Sequence, residues 1–113
     1  MCTRVTDAPI VHLVVPDALQ GLTNLARGVV AEAKAEGLCC VAVTGSSGKT
    51  STKDLLGQVL AAHAATVSPQ GSFNNEIGVP LTALRADSST RFLVSEMGAR
   101  GRGHIAWLCD LVA

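Results

Sequence analysis

The chain has 113 residues, with nine basic and nine acidic side chains and therefore a formal charge of zero. This balance argues against a nucleic-acid-binding protein, which normally carries a basic excess. No apolar run reaches the length of about 18 residues that a membrane-spanning helix needs, so none is predicted. Hydrophobic residues make up 48% of the chain, which is enough to build a core and argues against disorder.

The cysteines are predicted to be buried free thiols in a reducing compartment. No CxxC or CxxH spacing occurs in the sequence, so a zinc site is not expected. A free cysteine usually behaves as a small hydrophobic residue. The four positions are Cys2, Cys39, Cys40 and Cys109.

The first part of the chain predicts a strand followed by a long helix. β-Branched and apolar residues at 10–15 favour the strand. Asp17 is a suitable N-cap for a helix that runs to Glu36, and Gly37 suits its C-terminal end. Apolar residues recur along this helix at three- and four-residue steps, as on one buried face: Leu19, Leu22, Leu25, Ala26, Val29, Val30 and Ala33. We expect residues 1–37 to be the end of a preceding domain.

From residue 38 onwards, short apolar runs alternate with helical patterns. Residues 38–45 are typical of a strand that is buried on both faces of a parallel sheet. A helix of about four turns follows, and then a short strand at 65–68, a short helix at 81–86, a strand at 91–96 and a helix that begins near His104. This order predicts an α/β fold, in which crossover helices connect the strands of a parallel sheet.

Two glycine-rich loops, at 45–48 and 97–103, follow directly from predicted strands. Ligands of parallel sheets bind at the carboxyl ends of the strands. We therefore expect both loops to lie at the same edge of the sheet.

The sequence TGSSGKT at residues 44–50, called the phosphate loop below, has the groups that a phosphate needs. Its glycines let backbone N–H groups approach phosphate oxygens, and the following helix offers its positive end. Lys49 can reach the outer phosphates, and the Thr50 hydroxyl is placed for Mg²⁺. The general motif GxxxxGK[ST] is incomplete because Val43 stands at its first glycine. A chance Gly/Ser turn is the alternative, which the flanking strand and helix disfavour.

The shorter spacing of the phosphate loop resembles the TGxxGKT loop of the Mur ligases. Two further segments, GSFNNEIGVPLTALR at 71–85 and LVSEMGARGRGHIAWL at 93–108, resemble those Mur ligases that add D-alanyl-D-alanine to UDP-N-acetylmuramoyl-tripeptide. The resemblance is strong over 41–113. Residues 10–37 resemble the end of the family's N-terminal substrate domain.

The resemblance implies a P-loop-containing parallel sheet with crossover helices. Residues 1–37 would be the C-terminal end of the N-terminal substrate domain, and 38–113 the N-terminal part of a central ATP-binding domain that is truncated here. It also implies that ATP phosphorylates the tripeptide carboxylate and that the amine of D-alanyl-D-alanine attacks the acyl phosphate. The product is the peptidoglycan pentapeptide precursor. We expect a cytoplasmic enzyme that is monomeric when full length, and no turnover by this chain alone.

The site residues also follow from the resemblance. Lys49 would be catalytic, and Thr50 and Glu96 would bind Mg²⁺. The nucleotide would contact Gly45, Ser46, Ser47, Gly48, Lys49, Thr50, Ser51, Asn74 and Asn75. Glu96 could instead be a solvated carboxylate at a strand end, and the two asparagines could make only local turn bonds. His104 is expected to be an exposed residue at a helix start, and Arg100 and Arg102 to lie in a solvated loop.

Three other functions remain open from the sequence. Another Mur-type or folylpolyglutamate synthase-like amide ligase would share the phosphate loop, but the latter would lack the FNNEIG and EMGA segments. A small regulatory NTPase would need a Walker-B-like aspartate, and none is evident. A non-catalytic α/β module would use the loop only as a turn.

Overall fold

A computed structural model of the protein describes residues 1–5, 7 and 9–112. In this part of the chain, four helices flank a three-stranded parallel sheet with the strand order β1-β3-β2, which confirms the predicted α/β fold. The last residue of the predicted second domain, Ala113, lies outside the described residues. The elements are α1 (Ala18–Ala35), β1 (Cys39–Val43), α2 (Lys49–Ala61), β2 (Thr66–Val67), α3 (Gly78–Ala83), β3 (Phe92–Glu96) and α4 (His104–Val112).

Helix α1 begins and ends where its capping residues predict. The Asp17 carboxylate accepts hydrogen bonds from the backbone N–H groups of Leu19 and Gln20, at 2.8 and 2.9 Å. Gly37 follows the helix with a φ of 98°, a left-handed conformation that suits glycine. The buried face consists of Thr23, Ala26, Val30 and Ala33, whereas Leu19 and Leu25 are exposed. The predicted helix is therefore confirmed, but only part of its predicted face is buried.

The strand predicted at residues 10–15 is wrong. Only an isolated parallel bridge between Val14 and Cys2 forms there. β-Branched residues favour a strand only where a neighbouring strand accepts their hydrogen bonds. Cys2 supplies one such contact, with its N–H donating to Leu13 and its carbonyl accepting from Val15.

Helix α1 packs against α3 and α4. Its residues Ala26, Val30 and Ala33 belong to the same buried cluster as Leu93 of β3 and Leu108 of α4. The helix thus shares a core with the sheet that follows it. The domain boundary at Gly37 stays a prediction.

Strand β1 is less buried than its apolar sequence suggests. Cys39 and Ala42 are exposed and the other three residues are half-buried. The prediction that this strand is buried on both faces is therefore wrong. The reason is its place in the sheet, because β1 pairs with β3 alone and forms an edge. All four cysteines are free, as predicted, but the prediction that they are buried is wrong: Cys39 is exposed, and Cys2, Cys40 and Cys109 are half-buried.

The buried residues of helix α2 are not its large apolar ones. Its buried residues are Lys53 and Gly57, whereas Leu55 is 64% exposed and Val59 58%. Helix α3 begins at Gly78, three residues earlier than predicted, and Pro80 lies in its first turn. Proline is tolerated there because the N–H groups of a first helical turn have no partner within the helix.

Asp87 organises the loop between α3 and β3. Its carboxylate accepts hydrogen bonds from the Ser89 hydroxyl at 2.6 Å, the Ser89 N–H at 2.9 Å and the Thr90 N–H at 3.1 Å. These bonds favour the ionised carboxylate and lower the pKa of Asp87 below its ordinary value. A lowered folded-state pKa stabilises the protein above the unfolded-state value, and this contribution is lost as the pH falls through the folded-state value.

We therefore expect Asp87→Ala to destabilise the chain at neutral pH and to be nearly neutral in strong acid. The stability difference from the wild type should shrink as the pH falls below the ordinary aspartate pKa of about 4. Urea unfolding at a series of pH values measures it, with the exposed Asp7→Ala as a control. A difference that grows on acidification would contradict this role.

Candidate nucleotide-binding site

The phosphate loop connects β1 to α2 and positions the start of that helix. Gly48, the residue before α2, has a φ of 75° and is left-handed, a conformation that other residues rarely adopt. Its carbonyl accepts from the Thr52 N–H at 2.9 Å. The Lys49 ammonium donates to the Gly45 carbonyl at 2.7 Å, so it lies over the loop. A cation and the positive end of a helix thus meet in one place, which favours an anionic ligand.

Glu96 lies beside the start of this loop because β3 is the neighbour of β1. In the register of the two strands Glu96 is opposite Val43, and the N–H of Met97 donates to the Val43 carbonyl at 2.9 Å. The Glu96 residue is only 1% exposed. The alternative that it is a solvated strand-end carboxylate therefore does not fit the structure.

The two carboxylate oxygens of Glu96 differ in their contacts. Oε1 accepts a hydrogen bond of 2.9 Å from the Asn74 side-chain N–H. Oε2 is also buried, but within the described part of the chain it has no hydrogen-bond partner. A buried carboxylate oxygen without a partner is costly, and a bound cation would satisfy it. Glu96 therefore fits a magnesium ligand.

Asn74 is held in place by a glycine of the second loop. The Gly98 N–H donates to the Asn74 carbonyl at 2.8 Å. A Cβ atom at Gly98 would lie 3.1 Å from the Asn74 side-chain carbon and oxygen, closer than ordinary packing allows. Gly98 thus lets Asn74 approach β3 and reach Glu96. This role was not predicted from the sequence, although Gly98 lies in the EMGA segment.

The two glycine-rich loops enclose one cavity of about 410 Å³, which confirms their expected proximity. Two cationic side chains, Lys49 and Arg100, face this cavity. Its lining consists of Gly45, Ser46, Lys49, Asn74, Gly98, Ala99 and Arg100. A larger cavity of about 480 Å³ lies between α1 and the loop after α3, and its charged side chains are Glu32, Glu36 and Asp87. The smaller cavity suits phosphate because its charges are positive.

The other predicted nucleotide contacts lie outside the lining of that cavity. Ser47 and Ser51 are exposed, and Thr50 is half-buried in the first turn of α2. Asn75 uses its side-chain oxygen to accept from the N–H groups of Ile77 at 3.1 Å and Gly78 at 2.8 Å. Asn75 therefore makes the local turn bonds that were the alternative to nucleotide contact.

Glu76 joins the loop before α3 to the second glycine-rich loop. Its carboxylate lies 3.2 Å from the Arg100 guanidinium and 3.6 Å from Nε2 of His104. The Arg100 N–H donates to Nδ1 of His104 at 3.2 Å. Arg100 and Arg102 are exposed, as expected of a solvated loop, although the Arg100 guanidinium also pairs with Glu76. His104 begins α4, as expected, but it is half-buried. The cluster holds the Arg100 side chain at the wall of the cavity.

Within the described residues, no group of three or more His, Cys, Asp or Glu side chains could hold a metal. Magnesium sites at phosphate-binding loops commonly use one or two protein oxygens together with the phosphates and water. A single buried carboxylate beside a phosphate loop is therefore sufficient for such a site. No helix in the described ranges is both long and apolar enough to cross a membrane.

Comparison with known proteins identifies relatives. The family described as "Mur ligase middle domain" matches residues 43–113. A Mycobacterium tuberculosis protein named UDP-N-acetylmuramoyl-tripeptide–D-alanyl-D-alanine ligase is 52% identical over 93 residues, which are 82% of this chain and 18% of that protein. The Escherichia coli protein of the same name is 37% identical over 111 residues, which are 98% of this chain and 24% of the relative.

Solved structures agree with these sequence matches. A UDP-N-acetylmuramoylalanyl-D-glutamyl-2,6-diaminopimelate–D-alanyl-D-alanyl ligase from Acinetobacter baumannii has a TM-score of 0.87 at 37% identity, over 98% of this chain and 24% of that structure. The Thermotoga maritima MurF ligase in complex with ADP has a TM-score of 0.76 at 32% identity, over 96% of this chain and 24% of its own. The chain thus spans about a quarter or less of these relatives. Because the family match covers more than half of the sequence, the chain belongs to the Mur ligase family, whose middle domain it carries in part.

Proposed function

We propose that this chain is the phosphate-binding part of an ATP-dependent ligase that adds D-alanyl-D-alanine to UDP-N-acetylmuramoyl-tripeptide. The observation that carries the proposal is the cavity between the two glycine-rich loops. Its lining includes Lys49 and also Asn74, whose side chain donates to the buried Glu96. The names of the relatives support the substrates, and the ADP in the Thermotoga structure supports the nucleotide.

In this proposal the backbone N–H groups of residues 45–48 and the positive end of α2 bind the phosphates of ATP. The Lys49 ammonium exchanges the Gly45 carbonyl for an oxygen of the γ-phosphate and stabilises the charge on it during transfer. The substrate carboxylate attacks the γ-phosphorus, ADP leaves, and an acyl phosphate forms. The amine of D-alanyl-D-alanine then displaces phosphate from the acyl carbon and loses a proton, which gives the amide.

Thr50 and Glu96 would hold Mg²⁺, which supplies further neutralisation of phosphate charge when it is bound. Asn74 orients the Glu96 carboxylate through its hydrogen bond to Oε1. The remaining proposals rest on the resemblance to the family rather than on contacts in this chain. They are that both substrates bind largely to parts of the ligase outside these residues, and that the complete ligase is a cytoplasmic monomer.

A chimera tests this function. The matching segment of the M. tuberculosis relative, which shares 52% of its residues with this chain, is replaced by the present sequence. We expect the chimera to release phosphate from ATP only when UDP-N-acetylmuramoyl-tripeptide and D-alanyl-D-alanine are both present, and to form the pentapeptide product. The unmodified relative is assayed in parallel. A folded chimera that is inactive, or that releases phosphate without either substrate, contradicts the proposal.

A further inference from the structure

Lys53 is a lysine that the structure buries completely. It is 0% exposed, whereas lysine is among the residues least often buried without a partner. Its ammonium donates to the carbonyl oxygens of Pro69 at 2.9 Å and Gly71 at 3.1 Å, and to the carboxylate of Asp54. An ammonium has three N–H donors, so each of them has an acceptor here.

These acceptors connect two parts of the candidate site. Lys53 lies one turn after Lys49 on α2, and residues four apart share a helix face. The carbonyls of Pro69 and Gly71 belong to the segment after β2, and this segment leads within a few residues to Asn74. Lys53 therefore fixes the distance between the helix of the phosphate loop and the segment that carries Asn74.

Asn74 connects this segment to β3 and the second glycine-rich loop, which form the other side of the site. Its side chain donates to Glu96, and its carbonyl accepts from the Gly98 N–H at 2.8 Å. A continuous path of hydrogen bonds and a short stretch of backbone thus connects Lys53 to Glu96. We propose that Lys53 is a positioning residue, which holds the segment 69–71 against α2 so that Asn74 orients the Glu96 carboxylate.

The chemistry of the contacts favours lysine at this position. Methionine fills a similar space but would leave the carbonyls of Pro69 and Gly71 and the carboxylate of Asp54 without the ammonium. Arginine keeps the charge, but its planar guanidinium is larger and does not match three acceptors arranged around one nitrogen. Both substitutions should therefore loosen segment 69–71, with the larger effect for methionine.

The first test uses amide hydrogen exchange in this chain and does not depend on activity. The Gly98 N–H donates to the Asn74 carbonyl, whereas the adjacent Met97 N–H donates to the Val43 carbonyl of β1. We expect Lys53→Met to accelerate exchange at Gly98 by about tenfold or more relative to Met97. Lys34→Met, the same change at an exposed lysine, should alter neither amide.

The two amides separate local loosening from general loss of structure. Equal acceleration at Met97 and Gly98 in a folded variant, or no acceleration at Gly98, would overturn the positioning role. If Lys53→Met does not fold, Lys53→Arg takes its place, with a smaller acceleration of Gly98 expected and the same two outcomes against it.

The second test is a double-mutant cycle in the chimera, and it rests on the proposed function. Lys53→Met should lower kcat by about tenfold and raise the Mg²⁺ concentration needed for half-maximal activity. The KM for D-alanyl-D-alanine should not change. In an Asn74→Ala background the same substitution should have little further effect, because Lys53 acts through Asn74. If the two substitutions lower kcat by independent factors that multiply, the role of Lys53 is contradicted. If the chimera without these substitutions is inactive, the proposed function is contradicted, and the hydrogen-exchange experiment alone tests the role of Lys53.

Discussion

Lys49→Met should reduce kcat of the chimera by about 10²–10³-fold, the range for loss of one preorganised charge-stabilising donor. The Lys49 ammonium lies over the phosphate loop and faces the cavity, where it would bind the phosphate that is transferred. Methionine has a similar length but carries no charge, so negative charge on the γ-phosphate would lose its closest side-chain cation. Steady-state phosphate release with both acceptor substrates, measured over a range of ATP concentrations, gives kcat and KM separately.

The exposed Lys34→Met serves as the control for removal of a positive charge, and circular dichroism checks the fold of both variants. If the loss is confined to KM for ATP, Lys49 binds the ground state and does not act on the transferred phosphoryl group. A folded Lys49→Met chimera with unchanged kinetics would remove Lys49 from the mechanism. It would favour the alternative in which the loop is only a turn.

Features that depend on neighbouring residues in the chain could be predicted from the sequence. Asp17 and Gly37 mark the ends of α1 because capping involves only the first and last turns of a helix. The phosphate loop was found for the same reason, since its glycines, Lys49 and the start of α2 are consecutive. The resemblance to the Mur ligases then predicted Asn74 and Glu96 as further site residues, and the structure joins them by a hydrogen bond.

Features that depend on distant partners could not be predicted in this way. The hydrophobic pattern of α2 consists of Leu55, Leu56, Val59, Leu60 and His63, none of which is fully buried. The buried side chain is Lys53, whose carbonyl partners lie 16 and 18 residues further along the chain. The closeness of Gly98 to Asn74 has the same origin. Strand β1 looked fully buried because its composition does not reveal that it lies at an edge of the sheet.

Glu96→Gln should separate function from stability. Glutamine keeps an oxygen that can accept from Asn74, but it replaces the buried charge with a neutral amide. We expect kcat of the chimera to fall by about 10²-fold or more, because a neutral oxygen is a weak ligand for a hard cation. The Mg²⁺ concentration for half-maximal activity should rise. Phosphate release measured over a series of Mg²⁺ concentrations tests both expectations.

The stability of the same variant should not fall. Oε2 of Glu96 is buried without a hydrogen-bond partner in the described part of the chain, and a buried charge that is only partly paired destabilises the folded state. Removing that charge should leave the free energy of unfolding of this chain, measured with urea in the absence of Mg²⁺, unchanged or higher by about 1–3 kcal/mol. Residues kept for function at the expense of stability show this combination.

Glu32→Gln, at an exposed glutamate of α1, is the matched control and should change neither quantity. Each alternative for Glu96 predicts a different pair of results. A structural carboxylate predicts that activity and stability fall together, whereas an uninvolved carboxylate predicts that both stay the same. Lower activity, a higher Mg²⁺ requirement and undiminished stability are expected together only if Glu96 is held in a buried position to bind a cation.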